Sequence, residues 1–329
     1  METAKSIESG PPRISVVVPV YGCESCLREL HARLVKVLEA LVPSFEIVLV
    51  NDASPQLDWR VIRELAAADP RVRGVNLSRN FGQHYAIAAG LDRAQGDWVV
   101  VMDCDLQNLP EDIPAFYAAV QKGFDGAFGR RTVRRDRWFK RVTSTWFYRV
   151  FSYLADMKVD PAVGSFSMIS RKVVASYRRL RESHRNYGFN VHSLGFRYTY
   201  VPIEHASRHA GESSYSLRRM IGFALETIVS QSNKPLHLSI RFGFTMSLFA
   251  MLYGLYLIVR RVLWAMPVAG WTSVMVSLFF IAGLLFANLG VIGLYLGSVF
   301  REVKDRPIYI VSEDTADAAS LSDLPANET

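Results

Sequence analysis

Residues 97–107 read Asp97-Trp-Val-Val-Val-Met-Asp-Cys-Asp-Leu-Gln107, and this stretch decides the fold. Its first half is an unbroken β-branched apolar run, the pattern of a strand buried on both faces, as in the parallel sheets of α/β domains. The run ends at Asp103 and Asp105, positions i and i+2. Residues so spaced in an extended chain share a face, so both carboxylates project together. Open α/β sheets bind ligands beyond the carboxyl ends of their strands. Two carboxylates converging there repel each other unless a cation lies between them, and Mg2+ and Mn2+ favour such oxygen ligands. A D-x-D spacing alone is common on exposed loops. It gains weight here from the buried strand before it and from Leu106-Gln-Asn-Leu-Pro-Glu-Asp-Ile-Pro114 after it.

Upstream, apolar strands at 14–20, 45–51 and 72–77 alternate with helical patterns over 26–41, 57–68 and from about Gly82. Downstream, a helix near 111–122 and a short strand at 124–129 follow. This alternation predicts a parallel sheet with helices on both faces. The first strand ends in Pro19-Val-Tyr21 with Glu24 close behind, and the second in Asn51-Asp-Ala-Ser54. Tyr21 suits stacking on a base, and Asp52 suits hydrogen bonds from a base or ribose. Singly, each also reads as a packed aromatic or a helix cap. No G-x-G-x-x-G follows the first strand and no G-x-x-x-x-G-K-[ST] occurs, so dinucleotide enzymes and P-loop NTPases lose support.

The chain has 329 residues, 50% hydrophobic and 21% charged, with a net charge of +7. It is too apolar for a disordered or nucleic-acid-tail protein and too charged to be membrane throughout. Its polar beginning, METAKSIESGPP, has no secretory h-region, which points to a cytoplasmic location for the first two-thirds. Cys23 and Cys26 form a C-x-x-C that could be a redox pair or half a zinc site, but no second pair or His cluster completes it. Cys104 lies far off in sequence, so the three cysteines are expected as plain buried or partly buried thiols in a reducing compartment.

After residue 130 the alternation stops. A basic, aromatic segment near 134–156 has helical spacing and suits a bilayer interface better than nucleic acid. A second amphipathic helix is expected at about 216–231. Residues 242–259 and 262–300 contain no charged side chain, and Met266-Pro-Val-Ala-Gly-Trp271 interrupts the second run. About 20 apolar residues span the hydrocarbon core, so two transmembrane helices are predicted, near 240–262 and 273–300. Lys234, Arg241, Arg301, Lys304 and Arg306 flank one side against Arg260 and Arg261 on the other. That bias puts both termini in the cytoplasm.

VVPVYG-C-E, VNDAS, LSRNFGQ, MDCDLQNLP, GRR and RHAGESSYS, followed by two spans, resemble in order the polyisoprenyl-phosphate glycosyltransferases of glycosyltransferase family 2. Bactoprenol glucosyltransferases and dolichol-phosphate mannose synthases are members. The likeness covers about residues 13–310. It implies a GT-A (Rossmann-like) α/β domain over 13–210, a phosphate-site loop and amphipathic helix over 211–235, a transmembrane hairpin over 236–301, a flexible N-terminus at 1–12 and a cytoplasmic tail at 302–329. It also implies donor contacts from Pro19, Tyr21, Glu24, Asp52, Arg79 and Asp103, and a Mg2+ or Mn2+ site at Asp103, Asp105 and Gln107. Arg130, Arg131, Ser165, Arg208 and Ser213 match positions at the acceptor or phosphate loop; Arg131 and Asp160 are candidates at the reacting centre, although Asp160 reads equally as a turn residue. Two positions depart from the family: Ser167 stands where Arg is usual, and Ser214 where Lys is usual. Both remove a cation near bound phosphates, so either Arg130, Arg208 or His209 compensates, or the donor or acceptor sits differently.

The activity so implied is inverting transfer of one sugar, from a nucleotide-sugar such as a UDP-hexose to a polyisoprenyl phosphate such as undecaprenyl phosphate. It would occur on the cytoplasmic leaflet of the inner membrane, for cell-envelope glycan modification. A processive polysaccharide synthase and a non-catalytic nucleotide-sugar-binding scaffold remain alternatives; the first usually carries Q-x-x-R-W and more spans, and Arg134-Arg-Asp-Arg-Trp138 lacks the Gln. Gly293 and Gly297 form a G-x-x-x-G that would allow homo-oligomer packing between spans, with lipid-facing small residues as the alternative. No nucleic-acid partner is expected.

Overall fold

The computed structural model describes residues 12–131, 149–155, 160, 162–182, 185–203, 222, 227–230, 232–264 and 270–317. The chain divides into two compact units, one of residues 1–135, 160–213 and 307–329, the other of residues 136–159 and 214–306.

In the first unit, β1 (Ile14–Val20), α1 (Glu24–Leu41), β2 (Phe45–Asn51), α2 (Asp58–Ala68), β3 (Val72–Leu77), α3 (Gln83–Arg93) and β4 (Trp98–Val101) alternate as the apolar runs predict. Then come a 3-10 turn at Pro110–Asp112, α4 (Ile113–Val120), β5 (Gly126–Arg131), β6 (Val163–Ser170), α5 (Arg171–Arg179), α6 (Tyr187–Ser193), β7 (Tyr198–Ile203) and, much later in the chain, β8 (Val311–Asp314). They build one sheet in the order β7-β5-β6-β4-β1-β2-β3-β8. Val16, Val18 and Val20 of β1 enter one apolar core with α1, α2 and α4, while Val17 enters a second core with α3, α5 and α6. Both faces are thus filled, which is why β1, β2 and β4 read as unbroken apolar runs. Burying each such valine contributes about 1.5–3 kcal/mol. This is the Rossmann-like GT-A arrangement.

The sheet differs from the parallel expectation at β6 and β8. β1 to β4 are mutually parallel, but β6 runs antiparallel between β4 and β5. No helical crossover is needed there, because the chain re-enters at the edge where β5 ends. In consequence the carboxyl ends of β1–β5 and the start of β6 share one edge.

Residues 311–314 were expected within a terminal tail and instead form β8, antiparallel to β3. Asp314, 5% exposed, accepts from Arg73 at 2.9 Å and Arg93 at 2.7 Å. Gly74 N–H donates to Thr315 Oγ1 at 2.9 Å, and Trp59 Nε1 to Glu313 at 3.1 Å. Burial disfavours the Asp314 charge, but the two guanidiniums outweigh it and hold the carboxyl below its usual range. A carboxylate so lowered stabilises the fold above its unfolded pKa, and the contribution is lost as pH falls through the folded value. Asp314→Asn is therefore expected to cost about 3 kcal/mol near neutrality, because it leaves two partly buried arginines short of a partner. Thermal unfolding should show the gap from wild type closing in acid; a gap that persists there would exclude the ion pairs as its source.

In the second unit, residues 149–155 are helical, and α7 (Lys234–Trp264) and α8 (Trp271–Val303) are long. Lys234–Arg260 and Ser273–Val303 are apolar enough to cross a membrane. Large side chains such as Phe244, Phe279 and Phe286 are at least 72% exposed, a surface that calls for a nonaqueous neighbour. Ser239 Oγ donates to Asn288 Oδ1, joining α7 and α8, and Tyr295 Oη donates to the Ser232 carbonyl at 2.6 Å.

Candidate active site

The parallel register carries the polar ends of four strands to one edge. Val17 lies beside Val101 and Val20 beside Asn51, so Tyr21, Asp52 and Asp103 all emerge there. Tyr21 is half exposed and Pro19 is buried in β1. Glu24, at the start of α1, accepts from the Leu57 N–H at 3.4 Å.

Asp52 is buried, and its two oxygens accept from the backbone N–H groups of Phe81 at 2.7 Å and Gly82 at 2.8 Å. Gly82 has φ +106°, which only glycine adopts readily. Asp52 thereby fixes the 79–82 turn that presents Arg79, whose guanidinium lies 4.1 Å from the Phe81 ring centre. Burial raises the Asp52 pKa, against the two backbone bonds and the Arg79 charge.

Asp103 lies at the centre of the edge. It accepts from Gln83 Nε2 at 2.6 Å, Asn108 Nδ2 at 3.3 Å and Ser165 Oγ at 3.2 Å. Burial, then the Asp105 charge, pushes its pKa up, while Ser165, Asn108 and Arg131 act the other way. Asp105 accepts from the Gln107 N–H at 3.1 Å, which shapes the turn. Among the described residues no cluster of three or more His, Cys, Asp or Glu side chains could hold a metal by itself. Two mutually repelling carboxylates nonetheless fit a hard divalent cation whose remaining ligands are phosphate oxygens and water.

The start of β6 closes the site. The Ser165 hydroxyl reaches Asp103, and a Cβ on Gly164 would lie 4.0 Å from the Arg131 guanidinium. Arg130 instead pairs with Asp160 at 3.1 Å, a contact the sequence reading did not foresee, and Asp160 also accepts from the Ala162 N–H at 2.9 Å, as a turn residue does. Ser167 is fully buried and shares a hydrogen bond of 2.7 Å with Tyr187 Oη. A neutral pair thus occupies the position where a cation was expected. Arg208, His209, Ser213, Ser214 and most of the 134–156 and 216–231 helices lie outside the described residues.

The cysteines correct the sequence reading. Cys23 and Cys104 form a disulfide, and Cys26 is a buried free thiol. The two partners are 81 residues apart in sequence, but β1 and β4 are parallel neighbours, so the turns after them meet. Three more residues escaped the sequence reading. Gln83 ends the L-S-R-N-F-G-Q stretch and Asn108 follows the D-C-D-L-Q, but both show their role only through Asp103. Asp58, fully buried, accepts from the N–H groups of Gly22 at 2.7 Å and Cys23 at 3.2 Å, fixing the turn after β1.

The sequence matches Glycosyl transferase family 2 over residues 15–178. It is 36% identical to "Uncharacterized glycosyltransferase YkcC" of Bacillus subtilis strain 168, covering 91% of this chain and 93% of that protein. It is 34% identical to the SfII prophage-derived bactoprenol glucosyl transferase of Shigella flexneri, covering 92% of this chain and 98% of the relative. Among solved structures, glucosyl-3-phosphoglycerate synthase from Mycobacterium tuberculosis, crystallised with Mn2+, UDP and phosphoglyceric acid, is 18% identical over 68% of this chain and 78% of that one, with a TM-score of 0.49. On the strength of the near-full-length sequence relatives, the chain belongs to glycosyltransferase family 2.

Proposed function

We propose that this glycosyltransferase moves one sugar, with inversion, from a UDP-hexose to a polyisoprenyl phosphate such as undecaprenyl phosphate. The reaction would serve cell-envelope glycan modification at the cytoplasmic face of the inner membrane. The observation that carries the reading is the convergence of Asp103, Asp105 and Arg131 on one sheet edge, in a chain that matches bactoprenol glucosyl transferases over nearly its full length. Two apolar helices long enough to cross a bilayer support a lipid acceptor.

Asp103, Asp105 and Gln107 would hold Mg2+ or Mn2+, which when bound supplies positive charge against the diphosphate. Gln83, Asn108 and Ser165 keep the Asp103 carboxylate in place, so no reorganisation is needed as charge develops. Arg131 stabilises negative charge on the departing nucleoside diphosphate. Tyr21 and the Asp52-braced turn flank the nucleoside. A phosphate monoester with a second pKa of about 6 is largely dianionic at neutral pH, so the acceptor brings its own nucleophile and no protein base is required. Direct displacement on an α-linked donor then gives a β-linked lipid product.

The test is transfer of labelled sugar from a panel of UDP- and GDP-sugars to undecaprenyl phosphate in detergent, with and without EDTA. Label entering one acid-labile monoglycosyl lipid, and lost with EDTA, is the expected result. A polymer product, or nucleotide binding without transfer to any lipid phosphate, would overturn the proposal.

A further inference from the structure

The chain contains three cysteines, and two of them are joined across the candidate site. Cys104 stands between the aspartates of the D-x-D, while Cys23 is the N-cap residue of α1. Cys26 follows in the first turn of that helix, its N–H bonded to the Cys23 carbonyl at 2.9 Å, and its thiol is free. A C-x-x-C whose first cysteine caps a helix sets a second thiol one turn from the first sulfur, the spacing that thiol–disulfide exchange uses.

We propose that Cys23, Cys26 and Cys104 form a thiol–disulfide switch that controls affinity for the divalent cation and the nucleotide diphosphate. The proposal rests on the reading of Asp103 and Asp105 given above. In the bridged state Cys104 is clasped to a fixed anchor, because buried Asp58 holds the N–H groups of Gly22 and Cys23. The loop so clasped has no regular structure at residues 102–109 and carries Leu106 at φ +59°. A branched side chain with a Cβ adopts that conformation at a cost, and only where its surroundings hold it. Release of Cys104 removes one of those supports beside both carboxylates and loosens their spacing.

Two routes break the bridge. Cys26 as thiolate attacks Cys23 Sγ; a Cys23–Cys26 bond forms, the Cys23–Cys104 bond breaks, and Cys104 leaves as a thiolate that takes up the proton, with no net redox change. Alternatively an external dithiol donates two electrons and two protons, becomes a disulfide, and leaves Cys23 and Cys104 as thiols. Cys23 and Cys104 are each 6% exposed, which shields the bridge from a bulky reductant and favours the neighbouring Cys26 as the attacking group.

The experiment uses the full-length protein in detergent at graded ratios of oxidised to reduced dithiothreitol. Free thiols are alkylated, the protein is digested without reductant, and linked peptides are identified by mass. UDP with MnCl2 is titrated calorimetrically on the same samples. The bridged form is expected to bind about tenfold more tightly than the reduced form, the scale of losing one outer support of a metal site. Cys104→Ala should bind at the reduced level whatever the redox poise. Cys26→Ser should keep the bridge but release Cys104 more slowly under mild reductant. Equal affinity in both states, with the Cys23–Cys104 link verified, would overturn the switch while leaving the nucleotide site standing. Failure to bind UDP in either state would overturn the site reading and the switch with it. Absence of the Cys23–Cys104 peptide under oxidising conditions would overturn the switch alone, and release unchanged in Cys26→Ser would overturn the internal route.

Discussion

Asp105→Ala is expected to lower sugar transfer by about 10^3-fold or more, the scale of removing a group that stabilises transition-state charge. Asp103 and Asp105 are not equivalent. Asp103 is gripped by Gln83, Asn108 and Ser165, so its geometry survives the loss of its neighbour. What disappears is the second negative charge, and with it the reason for a divalent cation to settle at the strand end. The loss should therefore appear both in kcat at saturating donor and in the affinity for Mn2+ with UDP. Asp105→Asn keeps the shape and the turn but not the charge; it should fall nearly as far if the charge is what matters. Membrane extraction behaviour should stay unchanged, because residue 105 belongs to a different compact unit from α7 and α8. Full activity in either variant would remove the metal assignment.

The elements legible in the sequence share a physical property. β1, β2 and β4 are buried on both faces, so their apolar runs are unbroken, and the D-x-D follows the last of them directly. The two long apolar helices were equally plain, since their exposed surfaces are apolar all round. What escaped depends on sheet order. The disulfide needs β4 beside β1, and no local pattern encodes that adjacency. β8 is four residues, Val311-Ser-Glu-Asp314, too short and too polar to stand out, and it is held by Arg73 and Arg93 from elements more than 200 residues earlier. Asp58 reads as an ordinary first-turn acid of α2, and only the fold aims it at Gly22 and Cys23. The Ser167 departure was visible, but not its meaning: the position is interior, and a buried hydroxyl pair with Tyr187 suits it where an unpaired cation would not.

Arg131→Ala is expected to reduce kcat by about 10^2–10^3-fold with a smaller change in donor KM, because charge on the leaving diphosphate is greatest in the transition state. Arg130 provides the internal comparison, one residue away on the same strand. Its guanidinium is already paired with Asp160, and both side chains are well exposed. Such pairs contribute about 0–1 kcal/mol, so Arg130→Ala should change turnover by less than about tenfold. Alternate residues of a strand point to opposite faces, and Arg131 is the one whose charge acts on Asp103. Arg131→Lys sharpens the test. A lysine keeps the charge but not the planar fork, so partial activity identifies charge as the main contribution, and activity as low as that of Arg131→Ala identifies bidentate phosphate contact. If Arg130→Ala proved as damaging as Arg131→Ala, the ion pair with Asp160 would have to open during turnover. Asp160→Asn should then raise activity by freeing Arg130, an outcome opposite in sign to the loss expected if Asp160 itself orients the acceptor.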